Sequence, residues 1–167
     1  NNCITNQTFF ISNSPGPGLT FTVTNVTCFG ASDGTAAVTA TGGFGAPYTY
    51  NWLPSGGNFS SANSLNTGNY TVTVTDANAC TTTKNISITE PLLLQNSITL
   101  SFSCGNGSSA QASASGGSSP YVYQWSNGVA GAQNLNLIPQ IYSVTVTDAI
   151  ACSITNTVTV TSTVALF

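Results

Sequence analysis

The sequence predicts an all-β fold built as tandem immunoglobulin-like β-sandwich repeats. Three observations carry this. Val and Thr alternate over many short stretches, and both favour a pleated backbone. Gly, Pro and Asp-Gly turn signals separate these stretches, and none has helical periodicity. The chain also repeats itself. Tyr70-Thr-Val-Thr-Val-Thr-Asp-Ala-Asn-Ala-Cys80 recurs as Tyr142-Ser-Val-Thr-Val-Thr-Asp-Ala-Ile-Ala-Cys152, and Pro47-Tyr-Thr-Tyr-Asn-Trp52 recurs as Pro120-Tyr-Val-Tyr-Gln-Trp125.

The offsets are 72 between Cys80 and Cys152, 73 between Trp52 and Trp125, and 76 between Cys28 and Cys104. Two copies of about 73 residues follow, a size that suits small domains. The copies are placed at residues 19–91 and 92–163, after a Pro/Gly linker over 13–18. Residues 1–12 align Cys3 with Cys80 and Cys152, and read as the last strand of an upstream copy. Residues 164–167 read as the start of a further linker. The expectation is a slice of a longer repeat protein, or a subunit whose stray strand completes a neighbour by strand addition.

Within copy one, residues 19–27 alternate and lead to Cys28. Phe29-Gly-Ala-Ser-Asp-Gly34 is a turn, with Asp-Gly supplying positive φ. Strands follow at 35–41 and, after the Gly42 to Pro47 turn, at 48–53. Pro54-Ser-Gly-Gly57 then leads to a polar strand over 58–65. Residues 70–75 form the clearest strand, and 80–89 the last. Period two puts Tyr70, Val72 and Val74 on the core face and Thr71, Thr73 and Thr75 on the other. Trp52 and Trp125 lie between the two cysteines of each copy, as in immunoglobulin domains. Tyr70, however, lies ten residues before Cys80 rather than two. The expectation is therefore immunoglobulin-like architecture, not a true immunoglobulin domain.

Composition narrows the function. Charged residues make up 3% of the chain, against about 25% in typical soluble domains. The carboxylates are Asp33, Asp76, Glu90 and Asp148, the one cation is Lys84, and there is no His. No basic surface exists to neutralise phosphates, which excludes nucleic acid as a partner. Acid–base catalysis lacks its usual groups, so no enzyme activity is expected. A metal site with His ligands is impossible, and no cofactor or metal is expected. No apolar run reaches the roughly 18 residues of a membrane span, so no membrane insertion is expected.

Val26-Thr-Cys-Phe-Gly-Ala-Ser-Asp-Gly-Thr35, with Thr41-Gly-Gly, Pro47-Tyr-Thr-Tyr, Gly68-Asn-Tyr-Thr-Val-Thr-Val-Thr-Asp76 and Ile88-Thr-Glu-Pro91, closely resembles the SprB repeat. Copy two departs from it. Ser108-Ser109 stands near the Asp-Gly turn, and the Cys104 to Trp125 segment is shorter. Ala79 and Ala151 stand where the family often has Gly. The resemblance implies tandem repeats of a very large surface adhesin of gliding Bacteroidetes, exported by the type IX secretion system. It implies a module that positions other parts of a protein at the bacterial cell surface.

Five cysteines in a His-free, Thr-rich chain imply an oxidising, extracellular setting. Two disulfide sets fit. Cys28–Cys80 and Cys104–Cys152 close each copy and leave Cys3 paired upstream or free. Cys3–Cys28 and Cys80–Cys104 instead staple neighbours. Strand parity favours the first set, because four strands between Cys28 and Cys80 would bring both to one end of the sandwich.

Tyr48, Tyr50 and Trp52 fall on one strand face, as do Tyr121, Tyr123 and Trp125. They are candidate stacking surfaces for sugar rings, against the plainer reading of an aromatic core. Asp33, Asp76 and Asn78 are a candidate Ca²⁺ group, against plain turn chemistry. The expected partners are neighbouring repeats or identical subunits, and surface glycans if the aromatic stripe is open. The function expected first is a stalk segment of a cell-surface adhesin. A subunit of an extracellular filament comes second, and a carbohydrate-binding module third.

Overall fold

The computed structural model describes residues 15–103 and 107–161. Among the described residues, twelve strands alternate with turns. Copy one holds β1 (Gly18–Thr24), β2 (Gly34–Thr41), β3 (Thr49–Leu53), β4 (Ser61–Leu65), β5 (Gly68–Thr75) and β6 (Thr81–Ile88). Copy two holds β7 (Gln95–Ser103), β8 (Gly107–Ser115), β9 (Val122–Trp125), β10 (Gln133–Leu137), β11 (Gln140–Thr147) and β12 (Ser153–Val160). Each copy pairs two three-stranded antiparallel sheets, ordered β1-β2-β4 and β3-β5-β6 in the first, β7-β8-β10 and β9-β11-β12 in the second. Two sandwich-like units result.

Period-two patterning sets the faces as expected. Tyr70, Val72 and Val74 are buried in copy one, as are Tyr142, Val144 and Val146 in copy two. On the opposite face the hydroxyls pair across strands, Thr73 with Thr83 at 3.1 Å and Thr145 with Thr155 at 2.8 Å. Trp52 stands opposite Val72 across the β3–β5 ladder. The two cores have no residue in common, so each copy buries its own apolar surface.

Strand direction corrects the parity argument. β2 runs antiparallel to both β1 and β4, so β1 and β4 point the same way. The two-residue turn Asn66-Thr67 then sends β5 back, and β3 runs antiparallel to β5. β3 and β4 are therefore parallel in direction. Residues 54–60 cross from one sheet to the other without reversing the chain. Four strands do separate Cys28 from Cys80, but one expected reversal is missing. Cys28, between β1 and β2, lies at one end of copy one, and Cys80, between β5 and β6, at the other.

Tyr70 adds a feature that cysteine spacing hid. Its hydroxyl donates to the Asn66 carbonyl four residues upstream, at 3.0 Å. Tyr142 repeats this, its hydroxyl donating to the Ile138 carbonyl at 3.3 Å and accepting from the Ile138 N–H at 3.2 Å.

Candidate functional site

The junction between the copies gathers the residues that carry recognisable chemistry. On the copy-one side, Cys28 starts a tight turn in which the Ala31 N–H donates to the Cys28 carbonyl at 3.0 Å. Carboxylates hold both flanks. The Thr27 N–H donates to Asp33 Oδ1 at 3.0 Å, and the Thr27 hydroxyl donates to Asp33 Oδ2. The Gly30 N–H donates to Glu90 Oε2 at 2.8 Å, tying the turn to the segment that leaves copy one. The Thr27 hydroxyl, then its N–H, hold the Asp33 carboxyl below the usual carboxylate range.

On the copy-two side, Asp148 builds the loop that presents Cys152. Its Oδ1 accepts from the N–H groups of Ile150 at 3.0 Å and Cys152 at 2.9 Å. Its Oδ2 accepts from the Ser118 N–H at 2.9 Å. Ala151 sits at φ +69°, as Ala79 does at +65° in copy one, a left-handed backbone conformation that suits Gly better than Ala. The same carboxylate explains Gly117, at φ +57°. A Cβ there would lie 2.6 Å from Asp148 Oδ2.

Asp76 repeats the cradle. Its Oδ1 accepts from Asn78 and Cys80 N–H at 3.0 and 2.9 Å, and its Oδ2 from Phe44 N–H at 2.9 Å. Phe44 leads the bonds that lower the Asp76 carboxyl below its ordinary value. For Asp148, burial pushes the carboxyl up, but the bonds from Ser118, Cys152 and Ile150 outweigh it and the net direction is down. A carboxyl lowered by folding stabilises the native state above its unfolded value near 3.9 and loses that contribution as pH falls through the native one. The melting temperature is therefore expected to hold steady down to about pH 5 and to fall below about pH 4. The Asp76→Asn, Asp148→Asn double variant should melt lower at pH 7 and show a shallower acid-induced decline. Thermal melts followed by circular dichroism across pH check both.

Cys28 and Cys152 form a disulfide, with Cα atoms 5.8 Å apart. This replaces both expected within-copy bonds, Cys28–Cys80 and Cys104–Cys152. The cause is the missing reversal: Cys28 faces copy two, and Cys80 faces away from it. The short connection over residues 89–94 brings the Cys152 loop onto the Cys28 turn. The Gly117 N–H donates to the Leu92 carbonyl at 2.8 Å, and Leu94 enters the core of copy two. Ile150 lines one cleft with Val26 and Pro91 of copy one. A second cleft of about 280 Å³ lies against the disulfide, Phe29, Leu92 and Leu93. The copies therefore meet end to end. Cys3 and Cys104 lie outside the described residues.

The aromatic stripe is placed differently from an open platform. Trp52 and Trp125 are each 2% exposed. Their indole N–H groups donate to the carbonyls of Phe59 at 2.9 Å and Gly131 at 3.0 Å. Tyr48, Tyr50, Tyr121 and Tyr123 pack against the cores as partly buried side chains. Tyr48 and Tyr121 also donate to the Gly42 and Gly116 carbonyls, at 2.8 and 2.6 Å. Asp33 and Asp76 engage separate turns, and no cluster of three or more His, Cys, Asp or Glu occurs among the described residues.

The plain turn reading of Asp76 and Asn78 holds, since the Asn78 N–H donates to Asp76 Oδ1, but the reach of Asp76 to Phe44, the Asp148 cradle and the Cys28–Cys152 pair went unread in the sequence. The cradle left one signal, the repetition of Gly-Gly and Thr-Asp-Ala-x-Ala-Cys in both copies. The profile of the SprB repeat matches residues 20–57 and 97–130. Each copy is similar to the SprB repeat over these residues. The matched segments run from β1 past β3 and from β7 past β9, so each includes a buried Trp. No curated protein matches the chain.

Proposed function

We propose that this chain is a non-catalytic stalk segment of a large secreted cell-surface adhesin, serving gliding motility or surface attachment and exported by the type IX pathway. The observation that carries the reading is the end-to-end joining of two SprB-like copies by a covalent bond. Such a joint gives reach and stiffness without needing a ligand site. The disulfide fits an extracytoplasmic location, where thiols are oxidised. The strand order also supports an immunoglobulin-like arrangement. In its support, the orders β1-β2-β4 and β3-β5-β6 are those expected of A-B-E and C-F-G sheets, and the Tyr70 hydroxyl bonds the backbone four residues upstream, as a tyrosine corner would.

The test is the denatured, reduced mass of the native polypeptide, read together with its sensitivity to protease added to intact cells. Hundreds of kilodaltons and cleavage at the cell surface are expected. A mass near 17.0 kDa would replace this reading with that of a filament subunit.

A further inference from the structure

Cys80 is the one cysteine among the described residues without a partner, and it is half-buried rather than sealed in the core. Its surroundings reproduce those of Cys152 bond for bond. In copy one the Asp76 N–H donates to the Cys80 carbonyl at 3.0 Å, and in copy two the Asp148 N–H donates to the Cys152 carbonyl at 2.9 Å. The cysteine N–H donates to the aspartate Oδ1 at 2.9 Å in both. The preceding alanine has positive φ in both. A cysteine in this loop is therefore seen bonded once in the molecule, to the first cysteine of the copy before it. Cys80 lies at the end of copy one opposite Cys28, the end that a preceding copy would meet. In sequence, residues 3–12 align with 80–89 and 152–161, Cys3 falling at the position of Cys80 and Cys152.

We propose that Cys80 forms a disulfide with the first cysteine of the SprB repeat preceding copy one in the same polypeptide. The inference rests on the stalk reading and deepens it. Each repeat's last cysteine is bonded to the first cysteine of the repeat before. The bonds form a ladder of overlapping loops, since each spans two copies while the copies advance one at a time. Two thiols lose two protons and two electrons for every bond. A protein disulfide donor of the oxidising compartment takes these up and becomes a dithiol.

The test is disulfide mapping of the intact secreted polypeptide, alkylated at low pH before any reduction. The chain has a single Lys and no Arg, so digestion uses a protease that cuts after aromatic residues and Leu. The expected result is the Cys28 peptide joined to the Cys152 peptide, and the Cys80 peptide joined to the first-cysteine peptide of the preceding repeat. Cys80 recovered as an alkylated thiol, or joined to Cys3 or Cys104, overturns the proposal. A polypeptide of hundreds of kilodaltons with an alkylated Cys80 would leave the stalk and remove the ladder. In a second arm, Cys80→Ser in the intact protein should keep the Cys28–Cys152 bond and expose one additional alkylatable thiol per polypeptide. An unchanged thiol count counts against the bond.

Discussion

Trp52→Ala is expected to unfold copy one and leave copy two folded. The indole is buried among Ala36, Ala62, Val72 and their neighbours, and it fills the space between the two sheets. Residues 54–60 wrap it so closely that a Cβ on Gly56 would lie 2.9 Å from the Trp52 Cβ. Removing the ring deletes its transfer energy and leaves a cavity that this crossing segment cannot fill without leaving its path. The Phe59 carbonyl also loses its donor. Losses of about 3 to 5 kcal/mol are typical of such truncations. A copy of about 73 residues sits toward the low end of domain stability, so this removes most of what holds it. Because the two cores have no residue in common, thermal melts should show one transition lost and one kept. Trp125→Ala should give the mirror result. Trp52→Phe, which keeps much of the volume but loses the N–H bond, should cost less. A Trp52→Ala chain with an unchanged melt and lost glycan binding would restore the ring as a binding platform.

What the sequence made legible follows from the range of the interactions involved. Strand faces are decided by alternation within a few residues, so Tyr70, Val72 and Val74 could be placed inside without a structure. The burial of Trp52 followed from its polar neighbours on the same strand. The direction of β4 did not follow, because it depends on whether residues 54–60 turn back or cross between sheets. A Pro-Ser-Gly-Gly string permits both. That single reversal decided the cysteines, since it moved Cys80 to the opposite end from Cys28. The Asp76 cradle joins loops 32 residues apart through backbone amides, which leave no side-chain signature beyond the carboxylate itself. The Tyr70 bond was hidden for a simpler reason: its position was measured against a cysteine rather than against the turn it closes.

Pulled from its two ends, the oxidised chain is expected to lengthen far less than the reduced one. The Cys28–Cys152 bond spans 124 residues, so tension passes through the sulfur atoms and bypasses everything between them. Only residues outside the loop, including β1 and β12, can be drawn out while the bond holds. At about 3.5 Å per extended residue, reduction should release up to roughly 430 Å of hidden length. The enclosed segment contains β2 to β11, the bulk of both cores. Force on the ends therefore bypasses the whole sheet that holds Trp52 and reaches the sheet that holds Trp125 only through its edge strand β12. The loop also limits the unfolded chain, and a loop of this size contributes on the order of 5 kcal/mol in the chain-entropy account. Single-molecule stretching of residues 1–167 with and without reductant measures the difference directly. Cys152→Ser without reductant should match the reduced wild-type chain. Equal extension in all three cases would mean the bond carries no load. A large difference would make the joint, rather than any ligand pocket, the feature that suits this pair of repeats to a stalk under drag.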